Sequence, residues 1–442
     1  MTIRMDEGAA ELLDTLHRAG YAAYVVGGCV RDSLLGLTPH DWDLCTSALP
    51  QQGMELFGEE KCIPTGLQHG TVTVKQGGGL YEITTFRTEG TYTDGRHPDE
   101  VHFVPDVRED LARRDFTINA MAYNAKEGLV DPFGGQADLQ SGILRAVGVP
   151  HQRFTEDALR ILRLYRFAAR FGFAIDPPTA QAAQELCAHL DCVSVERIEE
   201  ELAKLLSAPA PAAYLDEKIL GVVLPELSPE ALAAAKPVVD ACPAGEQALP
   251  VRLAALLLSL GEDGTRRALR RLRCSNACIE ETAVLVREVV SGVPGAFSSD
   301  TNRAIPSPAL LPAATGSHPS GRSSEKLPAR PPVSLNIYTR KLLGKYNLCT
   351  VQRLAALGTA LQPEHAADFA ALSELAERLD ADGVCCRVSQ LAVNGRDLMA
   401  AGVPAGPGIR KILEALLDGV IREEYPNERQ ALLAAVQQLA AS

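Results

Sequence analysis

Hydrophobic and polar positions change their spacing along the chain. Leu12, Leu13 and Leu16 share one side of a helix predicted over residues 8–20. Apolar and β-branched runs then predict a helix at 30–35 and a series of strands, at 24–26, 41–44, 70–75, 80–87 and 101–104. Helices and strands therefore alternate over the first ~145 residues, which is typical of an α/β or α+β domain.

Helical spacing dominates from residue 154 onward. It predicts helices at 155–170, 179–190 and 195–206, the first with Thr155 as its N-cap and acidic residues in its first turn. The stretch 291–334 interrupts the pattern, because Pro, Ser and Gly make up 21 of its 44 residues. Such a composition indicates a flexible linker or surface insertion. The remainder, to residue 442, predicts further helices.

Composition excludes several classes of protein. A length of 442 residues, with 46% hydrophobic and 22% charged residues, predicts a globular chain of several domains. No apolar run reaches the ~20 residues that span a bilayer, and the first residues lack the apolar core of a signal peptide. The 11 cysteines show no zinc-site spacing, so we expect reduced thiols and a cytoplasmic protein. A net charge of −13 argues against a generic basic coat for nucleic acid, but it leaves room for a locally basic groove.

Candidate chemistry is concentrated in residues 24–43, YVVGGCVRDSLLGLTPHDWD. A strand that ends in Gly27 and Gly28 and turns into a helix lets backbone N–H groups approach an anion closely. Arg31 lies in the first turn of that helix, where it could donate to phosphate oxygens. The spacing does not match the G-x-G-x-x-G fingerprint of dinucleotide-binding folds.

Asp41 and Asp43 form a carboxylate pair. At positions i and i+2 of a strand, their side chains are predicted to project from the same face. Adjacent carboxylates repel each other unless a cation neutralises them, and hard oxygen ligands suit Mg²⁺. Glu82, on a strand predicted beside the first, is a candidate third acid for a site holding two ions about 3.5–4 Å apart. A solvated turn or helix cap is the alternative for the Asp pair alone; the adjoining glycine turn favours the catalytic interpretation.

These residues carry a family resemblance. The string Gly-Gly-x-Val-Arg-Asp-x-Leu-Leu-Gly followed by Asp-x-Asp resembles the nucleotidyltransferase motif of the tRNA CCA-adding enzyme and bacterial poly(A) polymerase family, the class II nucleotidyltransferases. Later segments resemble further motifs of the family in the same order. They are RRDFTINAMAYN at residues 113–124, the segments 131–148 and 156–173, and a tail that contains LAVNGRDLM and GPGIRKILEALL. The resemblance spans most of the chain except 291–334, and it is closest to the bacterial CCA-adding enzymes.

The resemblance implies an α+β fold, with a polymerase-β-like head built on a mixed sheet and all-helical neck, body and tail. The corresponding boundaries are 1–147 for the head, 148–207 for the neck, 208–290 for the body, 291–334 for the insertion, and 335–442 for the rest of the body and the tRNA-binding tail. It also implies template-independent addition of CCA to the 3′ end of tRNA from CTP and ATP, with Mg²⁺ as cofactor and release of pyrophosphate. No membrane partner is expected, and the oligomeric state is left open.

The segment after residue 155 contains polar residues at every third position, namely Asp157, Arg160, Arg163 and Arg166. On one helix, Asp157 and Arg160 would be neighbours that present an acceptor beside a donor. Cytosine and adenine offer the complementary order on their pairing edges, whereas uracil and guanine offer the reverse. Ordinary ion pairs on a solvated face are the alternative. In the family, the equivalent Asp and Arg read the incoming base.

Family similarity carries the remaining assignments. It implies that Arg114 contacts the nucleotide, that Arg163 and Arg166 serve its phosphates, and that residues 92–98 form a flexible loop. Asp115 and Asn119 are expected to orient neighbouring groups within a buried network. Three basic clusters are candidates for contact with the tRNA acceptor arm, although solvated helix faces explain each equally well: 266–273, Arg340 with Lys341 and Lys345, and Arg410 with Lys411.

Other functions stay open at this point. The nearest are a poly(A) polymerase or an enzyme that adds only the terminal A. A non-catalytic RNA-binding protein and a small-molecule nucleotidyltransferase belong to different classes. The sequence contains no Ser or Cys nucleophile motif and no His…His-Asp pattern of a phosphohydrolase, and His69 is interpreted as structural.

Overall fold

The structure is a computed structural model that describes residues 2–90, 100–290 and 334–440. Residues 92–98, expected as a loop, and all but the last residue of the expected insertion lie outside the described residues. The chain divides into two compact units, Met1–Pro225 and Glu226–Ser442.

The first unit mixes strands with helices, as predicted. Its strands are β1 Ala23–Val26, β2 Leu44–Thr46, β3 Cys62–Gly66, β4 Thr71–Gln76, β5 Gly79–Thr85, β6 Arg87–Glu89, β7 Val101–Phe103, β8 Ala122–Asn124, β9 Gly128–Val130, β10 Ile143–Leu144 and β11 Ala174–Ile175. Its helices are α1 Glu7–Arg18, α2 Gly28–Leu34, α3 Pro50–Phe57, α4 Val107–Ala112, α5 Gly135–Ser141, α6 Pro150–Glu156, α7 Leu159–Phe171, α8 Pro177–Leu186, α9 Val195–Leu206 and α10 Glu217–Val223.

A seven-stranded sheet in the order β3-β4-β5-β2-β1-β8-β9 forms the centre of the head. β2 runs parallel to β5 while its other pairing, with β1, is antiparallel, which confirms the predicted mixed sheet. All four residues of β1 are buried, and β2 and β8 pair with its two edges. The fold therefore holds the end of β1, and the glycine turn that follows it, at the middle of the sheet.

One predicted helix is wrong. Residues 155–170 form parts of two helices, α6 and α7, separated by Asp157, whose backbone is extended at φ −145° and ψ 105°. The Asp157 carboxylate accepts a hydrogen bond from the N–H of Leu159, so the side chain caps a new turn rather than continuing the old one. Thr155, the predicted N-cap, lies inside α6 and donates to the carbonyl of His151.

Other boundaries agree better. The predicted helix at 195–206 is α9 without change of residues, while the one at 179–190 corresponds to α8 and a 3-10 turn at Cys187–Cys192. The strand predicted at 41–44 begins only at Leu44, so both aspartates of the pair precede it. The sequence patterns did not predict β3 or the β8–β9 hairpin.

The second unit is helical throughout its described residues. Its helices are α11 Pro229–Ala241, α12 Leu249–Leu257, α13 Gly261–Arg271, α14 Asn276–Val290, α15 Leu335–Lys345, α16 Leu348–Leu361, α17 Ala366–Ala381, α18 Gly395–Ala400, α19 Pro407–Ile421 and α20 Arg429–Ala440. Leu398, Leu416 and Leu432 are each fully buried and unite the last three helices around one core. None of the helices in the described parts of the chain combines the length and apolar character needed to cross a membrane.

Candidate active site

The glycine turn lies between β1 and α2. Gly27 has φ 79° and ψ −125°, a conformation that L side chains rarely adopt, and its N–H donates to the carbonyl of Met121. A Cβ at Gly27 would lie 3.1 Å from Nη1 of Arg114, and one at Gly28 would lie 3.5 Å from Nη2 of Arg31. The structure therefore brings two of the predicted nucleotide-binding arginines, from distant parts of the sequence, to the same turn.

The acidic residues lie beside this turn. The N–H of Val26 donates to the carbonyl of Asp43 at 2.9 Å, which fixes Asp43 at the end of β1. β2 and β5 pair in parallel, with Leu44 opposite Ile83. Asp43 and Glu82 each come one residue earlier, so they lie next to each other at this end of the pairing. Asp41, Asp43 and Glu82 are all exposed.

Electrostatics link the three carboxylates. The pKa of Asp43 is raised, chiefly because the surrounding protein displaces water from its carboxylate. The negative charges of Glu82 and Asp41 raise the pKa further, and the positive charge of Arg114 opposes this shift. The oxygen-only donor set fits a hard divalent cation. Within the described residues, however, no three His, Cys, Asp or Glu side chains already stand in metal-binding geometry.

Arg31 belongs to a buried polar network. Its Nε donates to Asp32 at 2.7 Å and its Nη1 to the side-chain oxygen of Asn119 at 2.6 Å. Asn119 in turn donates to Asp115 at 3.1 Å, and Arg163 donates to the other oxygen of Asp115 through Nε and Nη2. The expected role of Asp115 and Asn119 in orienting neighbouring groups matches these contacts.

Arg163 sets the ionisation of Asp115. Burial alone would raise the pKa of Asp115, but the charge and hydrogen bonds of Arg163, with help from Asn119, outweigh burial and lower the pKa to about 2. The carboxylate is therefore charged at neutral pH even though only 8% of the residue is exposed. This fixed charge holds α7 against the segment that contains Arg114.

Asp157 and Arg160 were predicted as neighbours on one helix, but the structure does not place them on the same helix. Asp157 accepts from Arg197 of α9 at 2.8 Å, whereas Arg160 donates to Glu156 at 2.7 Å and to the carbonyl of Arg113 at 3.1 Å. The predicted single helix is wrong because Asp157 lies in the break between α6 and α7. The two proposed base-reading side chains are both present in the neck, but each is held by a separate partner.

Glu201 is a site residue that the sequence patterns missed. It is 5% exposed on α9 and binds Arg166 at 2.5 Å, with Arg163 at 3.8 Å. Its position follows Ile198 by three residues and precedes Leu205 by four, so it lies on the apolar face of the helix. An acid on that face was the available signal for a buried ion pair.

Asp110 was missed as well. Its side chain is completely buried and accepts from Arg113 at 2.9 Å and from Arg114 at 3.2 Å. It thereby anchors the guanidinium that lies against Gly27.

Comparison with known families gives matches to three segments. The "Poly A polymerase head domain" family matches residues 23–145. The family described as "Probable RNA and SrmB- binding site of polymerase A" matches 172–230, and the one described as "tRNA nucleotidyltransferase domain 2 putative" matches 337–436. A CCA-adding enzyme from Lactobacillus delbrueckii subsp. bulgaricus is 36% identical over 431 residues, which cover 96% of each chain. The chain belongs to the CCA-adding enzyme family.

Further relatives agree with this membership. The CCA-adding enzyme of Lactiplantibacillus plantarum is 49% identical over 209 residues, and that match spans 47% of this chain and about half, 51%, of the relative. The crystal structure of the Bacillus stearothermophilus CCA-adding enzyme in complex with CTP superposes with a TM-score of 0.77 at 30% identity, covering 99% of this chain and 98% of that one. The resemblance, the α+β fold and the enzyme class predicted from the sequence are confirmed for this CCA-adding family member; the roles of individual residues stay predictions.

Proposed function

We propose that this chain adds C, C and A to the 3′ end of tRNA, using CTP and ATP without a nucleic-acid template. Membership of the CCA-adding enzyme family over 96% of the chain is the observation that carries the proposal. The convergence of Asp41, Asp43, Glu82 and two arginines on the glycine turn supports it independently.

The carboxylates are suited to bind Mg²⁺. Asp41 and Asp43 would hold it, with Glu82 as an additional acid, because hard oxygen donors and unrelieved negative charge favour a small divalent cation. Bound there, Mg²⁺ ions would withdraw charge from the α-phosphate and make the primer hydroxyl more acidic, the chemistry of a two-metal site.

The triphosphate would lie over the glycine turn. Arg114 and Arg31 present Nη1 and Nη2 next to Gly27 and Gly28, and the absence of side chains there lets phosphate oxygens approach the backbone. In the transfer, the oxygen of the primer 3′-hydroxyl forms a bond to the α-phosphorus as the bond to pyrophosphate breaks, and the hydroxyl proton passes to water. This step requires no covalent intermediate with the protein.

Base selection is assigned to Asp157 and Arg160. A carboxylate accepts up to about four hydrogen bonds, so Asp157 retains acceptor capacity beside Arg197 for the amino group of cytosine or adenine. Uracil and guanine would place an acceptor against the Asp157 carboxylate and a donor against Arg160, and each unpaired group costs about 1–3 kcal/mol. Arg163 and Arg166 are proposed to support the phosphate end of the site.

The tRNA would bind through backbone phosphates. Arg267 and Arg270 are exposed on α13, and Arg410 and Lys411 are exposed near the start of α19. Surface cations of this kind give salt-sensitive, shape-based recognition of an RNA helix. We also propose a cytoplasmic location, since all 11 cysteines are free thiols.

A nucleotide-by-nucleotide extension assay tests the proposal. Purified protein receives tRNA ending before CCA, with Mg²⁺ and each nucleotide singly or CTP and ATP together. The expected products are two added C residues with CTP alone and a complete CCA with both nucleotides. Repeated A addition without C would instead identify a poly(A) polymerase, and addition of A only to tRNA ending in CC would identify an A-adding enzyme.

A catalytic variant separates enzyme from binding protein. Asp41→Asn keeps a side chain of the same size but removes a charge, so transfer should be lost while tRNA still binds. Equal extension by this variant and the wild type would contradict the proposed site, and absence of extension by both would favour a non-catalytic RNA-binding protein.

A further inference from the structure

Two phenylalanines of α7 lie at the centre of an arginine cluster. Phe167 and Phe171 are four residues apart, so they share one helix face, and their rings are parallel to within 3° with centroids 6.1 Å apart. The Arg31 guanidinium lies 5.2 Å from the first ring centroid and 5.0 Å from the second. Arg31 comes from α2 in the head, so the rings join the head to the neck.

Three more arginines lie over the same rings. Arg163 and Arg166 lie 5.4 Å and 3.9 Å from the Phe167 centroid, and Arg170 lies 5.0 Å from the Phe171 centroid. All five arginine–ring distances fall within the range in which a ring face attracts a cation. The two rings therefore contact every arginine of this cluster.

The carboxylates that pair with these four arginines carry less negative charge than the arginines carry positive charge. Asp32 is shared by Arg31 and Arg170, Glu201 is shared by Arg163 and Arg166, and Asp115 binds Arg163. Four guanidiniums and three carboxylates leave one excess positive charge among these side chains. Packing four like charges together costs free energy, and the negative faces of the aromatic rings offset part of that cost.

We propose that Phe167 and Phe171 are positioning residues for nucleotide binding, whose ring faces hold the arginine cluster, and Arg31 in particular, in place beneath the glycine turn. The inference rests on the proposed function, since it concerns the triphosphate of the incoming nucleotide. Neither phenylalanine is assigned a contact with substrate.

The contacts of Arg31 show how the rings would act. Asp32 holds its Nε and Asn119 holds its Nη1, and Nη2 lies next to Gly28. The hydrogen bonds still allow the planar guanidinium of Arg31 to tilt, and the faces of the two rings prevent that tilt. Without them, the Arg31 side chain would keep its charge but lose the single orientation that presents Nη2 to a phosphate.

The test compares leucine and tyrosine replacements by steady-state kinetics. Phe167→Leu and Phe171→Leu remove a ring face but keep an apolar side chain, and Phe171→Tyr keeps the ring. KM for CTP and for ATP are measured on tRNA ending before CCA and before A, respectively. Both leucine variants should raise both KM values roughly fivefold or more, with kcat within about twofold of wild type. Phe171→Tyr should retain the wild-type KM.

Phe173→Leu is the matched control. Its ring packs on Phe171 with centroids 5.5 Å apart, and it lies outside the five cation–ring contacts described above. It should lower the melting temperature without changing either KM. If the Phe167 and Phe171 variants also lose stability but keep wild-type KM values, the rings are only structural and the inference is overturned.

The remaining outcomes are distinguishable. If Phe167→Leu fails to fold, the KM values of Phe171→Leu alone test the positioning role, because Phe171 is only half-buried. Wild-type protein that extends no primer would refute the proposed function, whereas an active wild type with unchanged leucine variants refutes only the positioning role.

Discussion

Asp43 stores unfavourable charge in the folded protein. Its pKa is raised by loss of surrounding water and by the nearby carboxylates of Glu82 and Asp41, so ionisation at neutral pH costs folding free energy. A bound divalent cation would remove that cost. The same carboxylates that are suited to bind a divalent cation therefore make the head less stable when no cation is bound.

Replacing Asp43 by Asn should separate activity from stability. We expect a loss of nucleotide transfer of at least about a thousandfold, because a charged ligand disappears from the reacting centre. The melting temperature without Mg²⁺ should equal or exceed that of the wild type, because the repulsion is relieved. Asp14→Asn on α1, an exposed acid paired with Arg18, is the control and should keep full activity. A large drop in melting temperature for Asp43→Asn would contradict this interpretation.

Asp115 behaves in the opposite way. Its pKa of about 2 lies below the usual 3.8, so the charged form stabilises the folded state. That contribution, about 2 kcal/mol, is complete above pH 4 and is lost as the pH falls toward 2.

The comparison with Asp115→Asn measures this contribution. The wild type should melt higher than the variant at pH 5, and the difference should shrink as the pH is lowered from 4 to 2. Melting temperatures recorded by circular dichroism across that range provide the measurement. A difference that stays constant with pH would show that Asp115 does not titrate as described.

At the scale of elements, the β1–α2 turn depends on a residue without a side chain. Gly27→Ala would force an L residue into φ 79° and bring its Cβ to 3.1 Å from Arg114. The strain costs about 1 kcal/mol, and displacement of Arg114 should raise KM for CTP.

Gly36→Ala is the control for backbone strain alone. Gly36 has φ 72°, but a Cβ there would meet no atom within 4 Å. Both variants should lose stability in thermal melts, and only Gly27→Ala should change nucleotide binding. Equal effects on KM would show that the contact with Arg114 is irrelevant.

Sequence patterns predicted the elements whose apolar spacing is uninterrupted. α9 matches its prediction because Ile198, Leu202 and Leu205 form one continuous stripe. The break at Asp157 was missed because apolar spacing continues through it, and a single side-chain hydrogen bond to Leu159 decides the geometry.

The β8–β9 hairpin was missed for a different reason. Its strands have three residues each, too few for an alternating pattern. The turn between them depends on the side chain of Asn124, which accepts from the N–H groups of Lys126 and Glu127.

The site could be predicted in part. Arg31, Asp41 and Asp43 lie in one short motif, so local spacing identified them. Arg197 and Glu201 of α9 bind Asp157 and Arg166, respectively. These ion pairs depend on how α9 packs against the preceding helices, which no local sequence pattern contains.

At the scale of the whole molecule, an acidic protein must bind an acidic substrate. With a net charge of −13, the long-range field repels RNA, so local cations have to supply the attraction. Arg267 and Arg270 are exposed on α13, whereas Arg266 of the same helix is bound to Glu262 and Glu280.

Replacing these arginines tests their role in RNA binding. Arg267→Ala with Arg270→Ala should raise KM for tRNA several-fold and lower the dependence of binding on salt, without changing KM for CTP. Arg266→Ala is the matched control, and a smaller effect is expected because its charge is already neutralised. Filter binding over a range of salt concentrations provides the measurement, and an unchanged salt dependence would exclude this surface from RNA contact.

The long sequence separations within the site constrain its assembly during translation. β1 pairs through Val25 with Tyr123, and Arg166 of α7 pairs with Glu201 of α9. A nascent chain therefore exposes the glycine turn and the aspartates well before their counter-charges leave the ribosome. Premature termination ahead of α9 would leave a fragment in which Arg166 lacks Glu201, and quality-control proteases should recognise it as incompletely folded.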